Sequence, residues 1–395
     1  MRTALVYSSQ LDAYSLSERH PLRPERVALA VELMSGYGLV HPGLLEPVMP
    51  RIATRSELLL AHSAEYIDAV VQAGAAPGEW PGGWGIDLGD TPPFAGMHEA
   101  AAFIAGATTR ALECVLDGDY ARAFSPSGGL HHAHASRAAG FCVYNDVAVA
   151  IKVALDGRPS LRVFYLDIDA HHGDGVQEAF YTDPRVCTLS LHESGRYLFP
   201  GTGFPGERGE GAGLGYSLNV PLPPGATDEC YALVFDEVVQ PVMRAFAPDI
   251  IVAQCGADAH HADPLTELGL SIPGYRSLFG PIVSLADELC EGRIVATGGG
   301  GYAWATNVPR IWTLLAAALA GMDLPERLPE AWRVRLRELG FTPPGGLTEE
   351  TGINLDPERS ASLVVETRRT VAAVLTGALP GAGPWARPVP PTAAR

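Results

Sequence analysis

Short apolar runs and longer amphipathic stretches alternate along this chain. Runs rich in apolar β-formers fall at Ala121–Ser125, Arg162–Ile168, Arg185–Leu191, Tyr216–Val220, Asp249–Gln254 and Arg293–Thr297. Several are nearly continuous in hydrophobicity, the pattern of strands covered on both faces. Between and before them, helical patterns cover Leu58–Ala73, Ala100–Leu116, Asn145–Leu155, Asp228–Phe246 and Gly274–Cys290. Thr54 with Glu57 reads as a capping box ahead of the first of these, and Gly118 ends the second. This order predicts an α/β fold, a three-layer αβα domain around a central, mostly parallel sheet. One domain is expected over residues 1–375, followed by a Pro/Gly/Ala-rich C-terminal tail over 376–395.

Irregular, glycine-rich segments follow several strands: Ser125–Asn145, His192–Gly215, Gly256–Leu270 and Gly298–Tyr302. Long loops in a compact domain are usually functional, and in open α/β sheets the active site collects at the carboxyl ends of the strands. Four of these ends carry chemistry. The first loop holds Gly128-Gly129-Leu130-His131-His132-Ala133-His134. The second strand runs into Asp167-Ile168-Asp169-Ala170-His171-His172-Gly173-Asp174, where residues two apart put Asp167, Asp169 and His171 on one face of an extended segment. Charged and imidazole groups at the end of a buried strand need partners, and a metal ion is the economical one. A later strand ends in Gly256-Ala257-Asp258, and the last in four glycines and Tyr302. That glycine run lacks the Lys-Ser/Thr ending of a P-loop and the Gly-x-Gly-x-x-Gly spacing, which discounts nucleotide binding.

Composition narrows the classes. With 395 residues and 47% hydrophobic content the chain can bury a large core. No apolar stretch reaches the roughly 18 residues of a membrane span, and Met1–Tyr14 lacks the layout of a signal peptide, so a cytoplasmic protein without a membrane partner is expected. A formal charge of −17 argues against nucleic acid as a partner. Six scattered cysteines with no C-x-x-C pair read as reduced core residues.

The motifs, in this order, resemble those of the zinc-dependent histone deacetylases in the arginase/deacetylase superfamily: Gly-Leu-His-His-Ala, Gly-Phe-Cys-x-Tyr-Asn-Asp at 140–146, Asp-x-Asp-x-His-His-Gly-Asp-Gly at 167–175, Ser-Leu-His at 190–192, Phe-Pro-Gly-Thr-Gly at 199–203, Gly-Ala-Asp at 256–258 and the tetraglycine-Tyr at 298–302. The resemblance spans roughly Tyr7 to Ala320, and the opening from His20 to Arg26 is similar to the bacterial acetoin utilization deacetylase branch. It implies Asp169, His171 and Asp258 as Zn2+ ligands, with Fe2+ an acceptable substitute for such a donor set. It implies His132 as general base, His131 as its electrostatic or acid partner, Asp167 and Asp174 as the carboxylates orienting His131 and His132 respectively, and Tyr302 as donor to the developing oxyanion. Gly140, Phe141 and Phe199 match a narrow substrate tunnel, Asp90 a carboxylate on its rim, and Arg26 an arginine steadying the glycine loop. Structural K+ is implied near Asp167, Asp169, His171, Ser190 and Leu191, with a second site near Phe180, Asp183, Val186 and Tyr216.

The implied reaction is hydrolysis of an acetamide on an acetylated protein or peptide, acetyl-CoA synthetase among the candidates suggested by the bacterial branch. Leu265, in Asp263-Pro264-Leu265, gives an apolar gate that favours acetyl-lysine over acetylpolyamine. Two further alternatives are a binuclear ureohydrolase, for which His260 would recruit a second metal, and a non-catalytic acetyl-lysine binder. None of these motifs encodes an oligomeric state.

Overall fold

The computed structural model describes residues 2–87, 89–349, 353 and 355–376. The expected tail from 377 onward lies outside the described residues. Eight strands form one sheet: β1 Thr3–Val6, β2 Leu45–Val48, β3 Arg122–Ser125, β4 Val163–Asp167, β5 Val186–Glu193, β6 Ser217–Leu222, β7 Ile250–Gln254 and β8 Ile294–Thr297. Their order is β2-β1-β3-β8-β7-β4-β5-β6, and every pairing is parallel. The fold class expected from the sequence is therefore the one observed.

Successive residues of each strand serve opposite cores. Val163 and Tyr165 of β4 pack with Val252, Val295 and Ala123 on one face, while Phe164 and Leu166 pack with Leu189, Ile251 and Ala296 on the other. This is why the runs read as continuous: neither face meets water. The first face is covered by α3 (Ala64–Ala75), α4 (Met97–Leu116), α5 (Asp146–Gly157) and α6 (Asp174–Phe180). The second is covered by α1 (Glu25–Gly36), α7 (Asp228–Val234), α8 (Gln240–Phe246), α9 (Ile272–Cys290), α10 (Asn307–Ala320), α11 (Glu330–Glu338) and α12 (Pro357–Leu375). All six cysteines are buried and unpaired.

Three expectations need correction. The capping box is present, with Thr54 N–H donating to Glu57 Oε2 at 2.7 Å, but it heads only a single turn, α2 (Arg55–Leu58). The helix expected over Leu58–Ala73 breaks because Ser63 caps a new one, accepting Tyr66 N–H at 3.2 Å, while His62 turns inward, its Nδ1 2.9 Å from the His134 carbonyl and its Nε2 accepting Asn145 N–H at 3.1 Å. The stretch Asp228–Phe246 is interrupted by a π turn at Phe235–Val239, where Pro241 withholds an N–H from the helical ladder. Finally, β1 and β2 escape the apolar-run pattern. Each has four residues, and β2 is an outer edge strand that tolerates Pro47 because an edge needs no donor on its open side.

Among the described residues no helix is long and apolar enough to cross a membrane. Beyond residue 320, where the motifs end, Trp332 on α11 donates its indole N–H to Leu29 O at 3.0 Å, and α12 buries Leu363, Val371 and Val374.

Candidate active site

β3, β8, β7 and β4 are consecutive in the sheet. The four loops singled out for their chemistry leave the carboxyl ends of these neighbouring strands, so motifs as far apart as Gly128–His134 and Gly298–Tyr302 meet at one edge.

The ligand-type atoms of Asp169, His171 and Asp258 lie within 4.8 Å of one another, the one such group among the described residues. His171 Nδ1 stands 2.9 Å from Asp258 Oδ2 and 3.3 Å from Asp169 Oδ1. Each carboxylate is aimed by the backbone: Asp169 Oδ2 accepts Gly300 N–H at 2.6 Å and Asp258 Oδ1 accepts Ala170 N–H at 2.8 Å. The charges fit a cation. Burial and the adjacent Asp169 push the Asp258 carboxyl up. Burial alone would lower the His171 imidazole, yet the two carboxylates raise it to about 10, the response of a site built around positive charge. Two carboxylates and one imidazole are also the donor chemistry of an open catalytic zinc site. The glycine run is explained here: a Cβ on Gly300 would land on Asp258 Oδ2, and Gly299, at φ +135°, passes beside Asp169.

Two histidine–aspartate pairs adjoin this cluster. His131 Nδ1 is 2.8 Å from Asp167 Oδ2, His132 Nδ1 is 2.7 Å from Asp174 Oδ1, and the two Nε2 atoms face each other at 3.0 Å. Burial opposes charge on both rings. For His131 the carboxylates of Asp167 and Asp169 overcome it and hold the imidazole up at about 9. For His132 burial and the neighbouring His131 prevail over Asp174, pushing it down to about 3. Tyr302 lines the same cavity, its ring 5.9 Å from that of Phe141 and 6.4 Å from that of His171. Burial and the Asp258 and Asp169 charges hold its phenol protonated, as a donor requires.

Gly140 and Phe141 line the cavity, and Phe199 packs beside it. The Phe199 ring packs edge-on at 5.0 Å against His132, and a Cβ on Gly140 would strike His132. Phe141 adopts φ +68°, a left-handed conformation that is uncommon for a bulky residue. Its carbonyl accepts the Tyr14 hydroxyl at 2.7 Å, and its ring packs edge-on at 4.4 Å against His20. Asp90, expected at the rim, accepts Gly140 N–H on Oδ2 at 2.7 Å, so that carboxylate braces the Gly140–Phe141 backbone. Leu265 is 38% exposed. Arg26 is buried and donates to Gly301 O at 2.9 Å, with its guanidinium 5.1 Å from the Trp312 ring centroid. His260 Nδ1 is engaged by Ala262 N–H and Asn307 Nδ2, both at 3.1 Å, leaving that atom unsuited to a second metal.

Of the residues expected around K+, Asp167 and Ser190 are register partners on β4 and β5, and Ser190 Oγ lies 2.8 Å from His192 Nδ1; Leu191 follows on β5. Phe180, Asp183, Val186 and Tyr216 gather where α6 turns into β5 beside the start of β6, the Asp183 carboxylate pairing with Arg185 at 2.6 Å.

Sequence reasoning gave no role to the residues that hold the histidine loop. Asp146, fully buried, accepts Thr108 Oγ1–H at 2.5 Å, Gly129 N–H at 3.0 Å and Leu130 N–H at 2.7 Å. Asn145 Nδ2 donates to His131 O and Ala133 O at 3.1 and 3.0 Å, and Gln254 Nε2 to Gly129 O at 2.8 Å. The Asn-Asp ending of the 140–146 motif was the available signal.

The comparisons with known proteins agree with this geometry. Residues 20–319 match the histone deacetylase domain. The chain is similar to the acetoin utilization protein AcuC of Bacillus subtilis (strain 168), at 43% identity over 335 residues covering 84% of this chain and 86% of that one. It is 38% identical to AcuC of Staphylococcus xylosus over 333 residues, again 84% and 86% of the two chains. The crystal structure of a histone deacetylase homologue from Aquifex aeolicus superposes with a TM-score of 0.81 at 31% identity, covering 93% of this chain and 100% of that one; a structure of such a homologue complexed with SAHA matches equally well. With its strand-end motifs converging on one buried Asp-His-Asp cluster, this chain belongs to the histone deacetylase family of hydrolases, in the branch of the acetoin utilization proteins.

Proposed function

We propose that the protein is a zinc-dependent lysine deacetylase, hydrolysing the acetamide of acetyl-lysine side chains on proteins, with acetylated acetyl-CoA synthetase a candidate substrate. The observation that carries this reading is the Asp169-His171-Asp258 cluster, of which Asp169 and His171 line a cavity that also presents His131, His132 and Tyr302.

Asp169, His171 and Asp258 would hold the ion, which when bound supplies Lewis acidity toward the acetyl carbonyl and lowers the pKa of a water molecule. Phe141, Phe199 and Gly140 guide the extended aliphatic chain, and Leu265 gates it. His132, kept neutral by burial and by His131, accepts the proton of the attacking water at Nε2. Asp174 fixes the tautomer that leaves this atom unprotonated. Tyr302 donates a hydrogen bond from its hydroxyl to the acetyl oxygen as charge develops there. The amide C–N bond breaks as the leaving nitrogen takes up a proton from the histidine pair, giving acetate and a free amine. A non-catalytic binder would need neither the two pairs nor Tyr302. Ferrous iron in place of zinc, K+ at the two monovalent positions, a cytoplasmic location and a catalytic domain over 1–375 belong to the same reading.

The test is acetate release from an acetyl-lysine peptide and from an acetylpolyamine, with native, chelator-stripped and Tyr302→Phe protein. Metal-dependent turnover of the peptide, cut to a small residual rate in Tyr302→Phe, is expected. Preference for the polyamine would move the substrate, and no turnover of either by metal-replete protein would sink the deacetylase reading.

A further inference from the structure

One buried carboxylate joins the gate to the oxyanion donor. Asp263 is 7% exposed, and its two oxygens point in different directions along the chain. Oδ1 accepts the backbone N–H of Leu265, the gate residue, at 3.0 Å. Oδ2 accepts the backbone N–H of Tyr302 at 2.7 Å and that of Ala303 at 3.4 Å. The peptide unit Gly301–Tyr302 is thereby gripped at both poles, since its carbonyl accepts Arg26 Nη1–H at 2.9 Å. A side chain that rides on a peptide unit held from both sides has little freedom to translate. Gly301, at φ +136°, would otherwise leave this segment unusually free. An ionised carboxylate is the strongest neutral-amide acceptor a side chain offers, and a water-excluded setting strengthens it further.

We propose that Asp263 is a positioning residue that locks Leu265 and Tyr302 into one geometry, so that the wall met by the substrate and the hydroxyl met by its carbonyl move together. The inference rests on the deacetylase reading for its kinetic consequence, and on the geometry alone for its structural one. An oxyanion donor is effective only if it is aimed before charge develops, and a displacement of about 1 Å costs on the order of 100-fold in rate. A carboxylate that is merely structural would support folding without favouring Tyr302 over the rest of the site.

The substitution Asp263→Asn keeps shape but turns one acceptor into a donor facing a backbone N–H. With metal-replete enzyme and an acetyl-lysine peptide, a fall in kcat on the order of 100-fold with KM changed by less than about 5-fold is expected. In a Tyr302→Phe background the same substitution should cost less than about 3-fold, because the hydroxyl it places is already gone. An equal loss in both backgrounds, or an unchanged kcat, overturns the proposal. Thermal unfolding and metal content per chain, measured on each variant, separate positioning from a loss of fold or ion. Should Asp263→Asn fail to fold, Pro264→Gly loosens the exposed gate from outside. A linked clamp predicts that kcat falls with it, and a change in KM alone overturns the link.

A readout independent of turnover is the ¹⁹F resonance of 3-fluorotyrosine placed at position 302. One sharp line is expected in the otherwise native protein, and a shifted or doubled line in Asp263→Asn. An unmoved line overturns the proposal, whereas a moved line in a protein that hydrolyses no acetamide preserves the clamp and rejects the deacetylase reading.

Discussion

The pairs His131–Asp167 and His132–Asp174 are almost the same object: adjacent histidines, each with Nδ1 against a buried carboxylate, at 2.8 and 2.7 Å. They nevertheless shift in opposite directions, His131 up to about 9 and His132 down to about 3. The partner does not decide this; the third neighbour does. Asp167 is fully buried, receives the Tyr165 hydroxyl at 2.6 Å, and sits beside the Asp169 charge, which also bears on His131. Asp174 divides its charge between His132 and His134, whose Nε2 is 3.2 Å from its second oxygen, and His132 faces a positive His131. Where two titratable groups are driven apart in this way, their acid and base roles are separated by the surroundings rather than by residue type.

This comparison can be broken most directly by deletion. His132→Ala should lower kcat/KM by about 10²- to 10⁴-fold, the range of a lost general base, and His131→Ala by less. The reverse ranking in steady-state assays would exchange their roles. Next come the carboxylates: Asp174→Asn should cost about 10- to 100-fold, as changes behind a catalytic or liganding histidine do, with Asp167→Asn sharing its effect between His131 and the backbone of Asp169.

A pH profile sharpens the same contrast. Only neutral His132 accepts a proton, and its pKa is held below the ordinary 6.5, so the acid limb of kcat/KM should fall below that pH. Replacing His131 with Asn removes the positive neighbour, makes His132 easier to protonate, and should move the limb to higher pH in whatever activity remains. A limb that stays in place would show that His131 carries no charge in the working enzyme.

The smallest effect concerns stability, and a third histidine supplies it. His62 is buried with no carboxylate at hand, bonded only to backbone groups, and burial lowers it to about 4. Between the unfolded value near 6.5 and the folded value near 4 the unfolded chain binds the additional proton, so falling pH favours unfolding. Denaturant titrations should show native protein losing on the order of 2 kcal/mol more than His62→Gln between pH 7 and pH 5.

What could be read from the chain depended on where each interaction has its partner. Six strands were visible because both faces of β3 to β8 are buried, which leaves apolar runs; β2 carries Glu46 and Pro47, while β1, although buried throughout, opens the chain with no helical pattern before it to mark an alternation. The Asp-His cluster stood out because charged groups at the end of a buried strand demand an explanation. His62 did not, since the bonds that pull it inward and break the expected helix run to backbone atoms. The same holds for Asp146, Asn145 and Asp263, whose partners are largely main-chain groups brought close only by the sheet order. A main-chain partner has no residue identity, so no spacing rule announces it.

On the proposed deacetylase reading, the left-handed backbone at Phe141 bears on how the substrate path could be reshaped for bulkier acyl groups. Tunnel walls are usually widened by trimming a large side chain to alanine or valine, which here would keep the unfavourable conformation and discard the ring that packs against His20 and Tyr302. Glycine removes the ring and relieves the backbone at once, and asparagine tolerates the conformation better than a β-branched residue. The position thus has a narrow set of acceptable replacements, and the simplest route to a broader acyl range runs through the smallest residue of all.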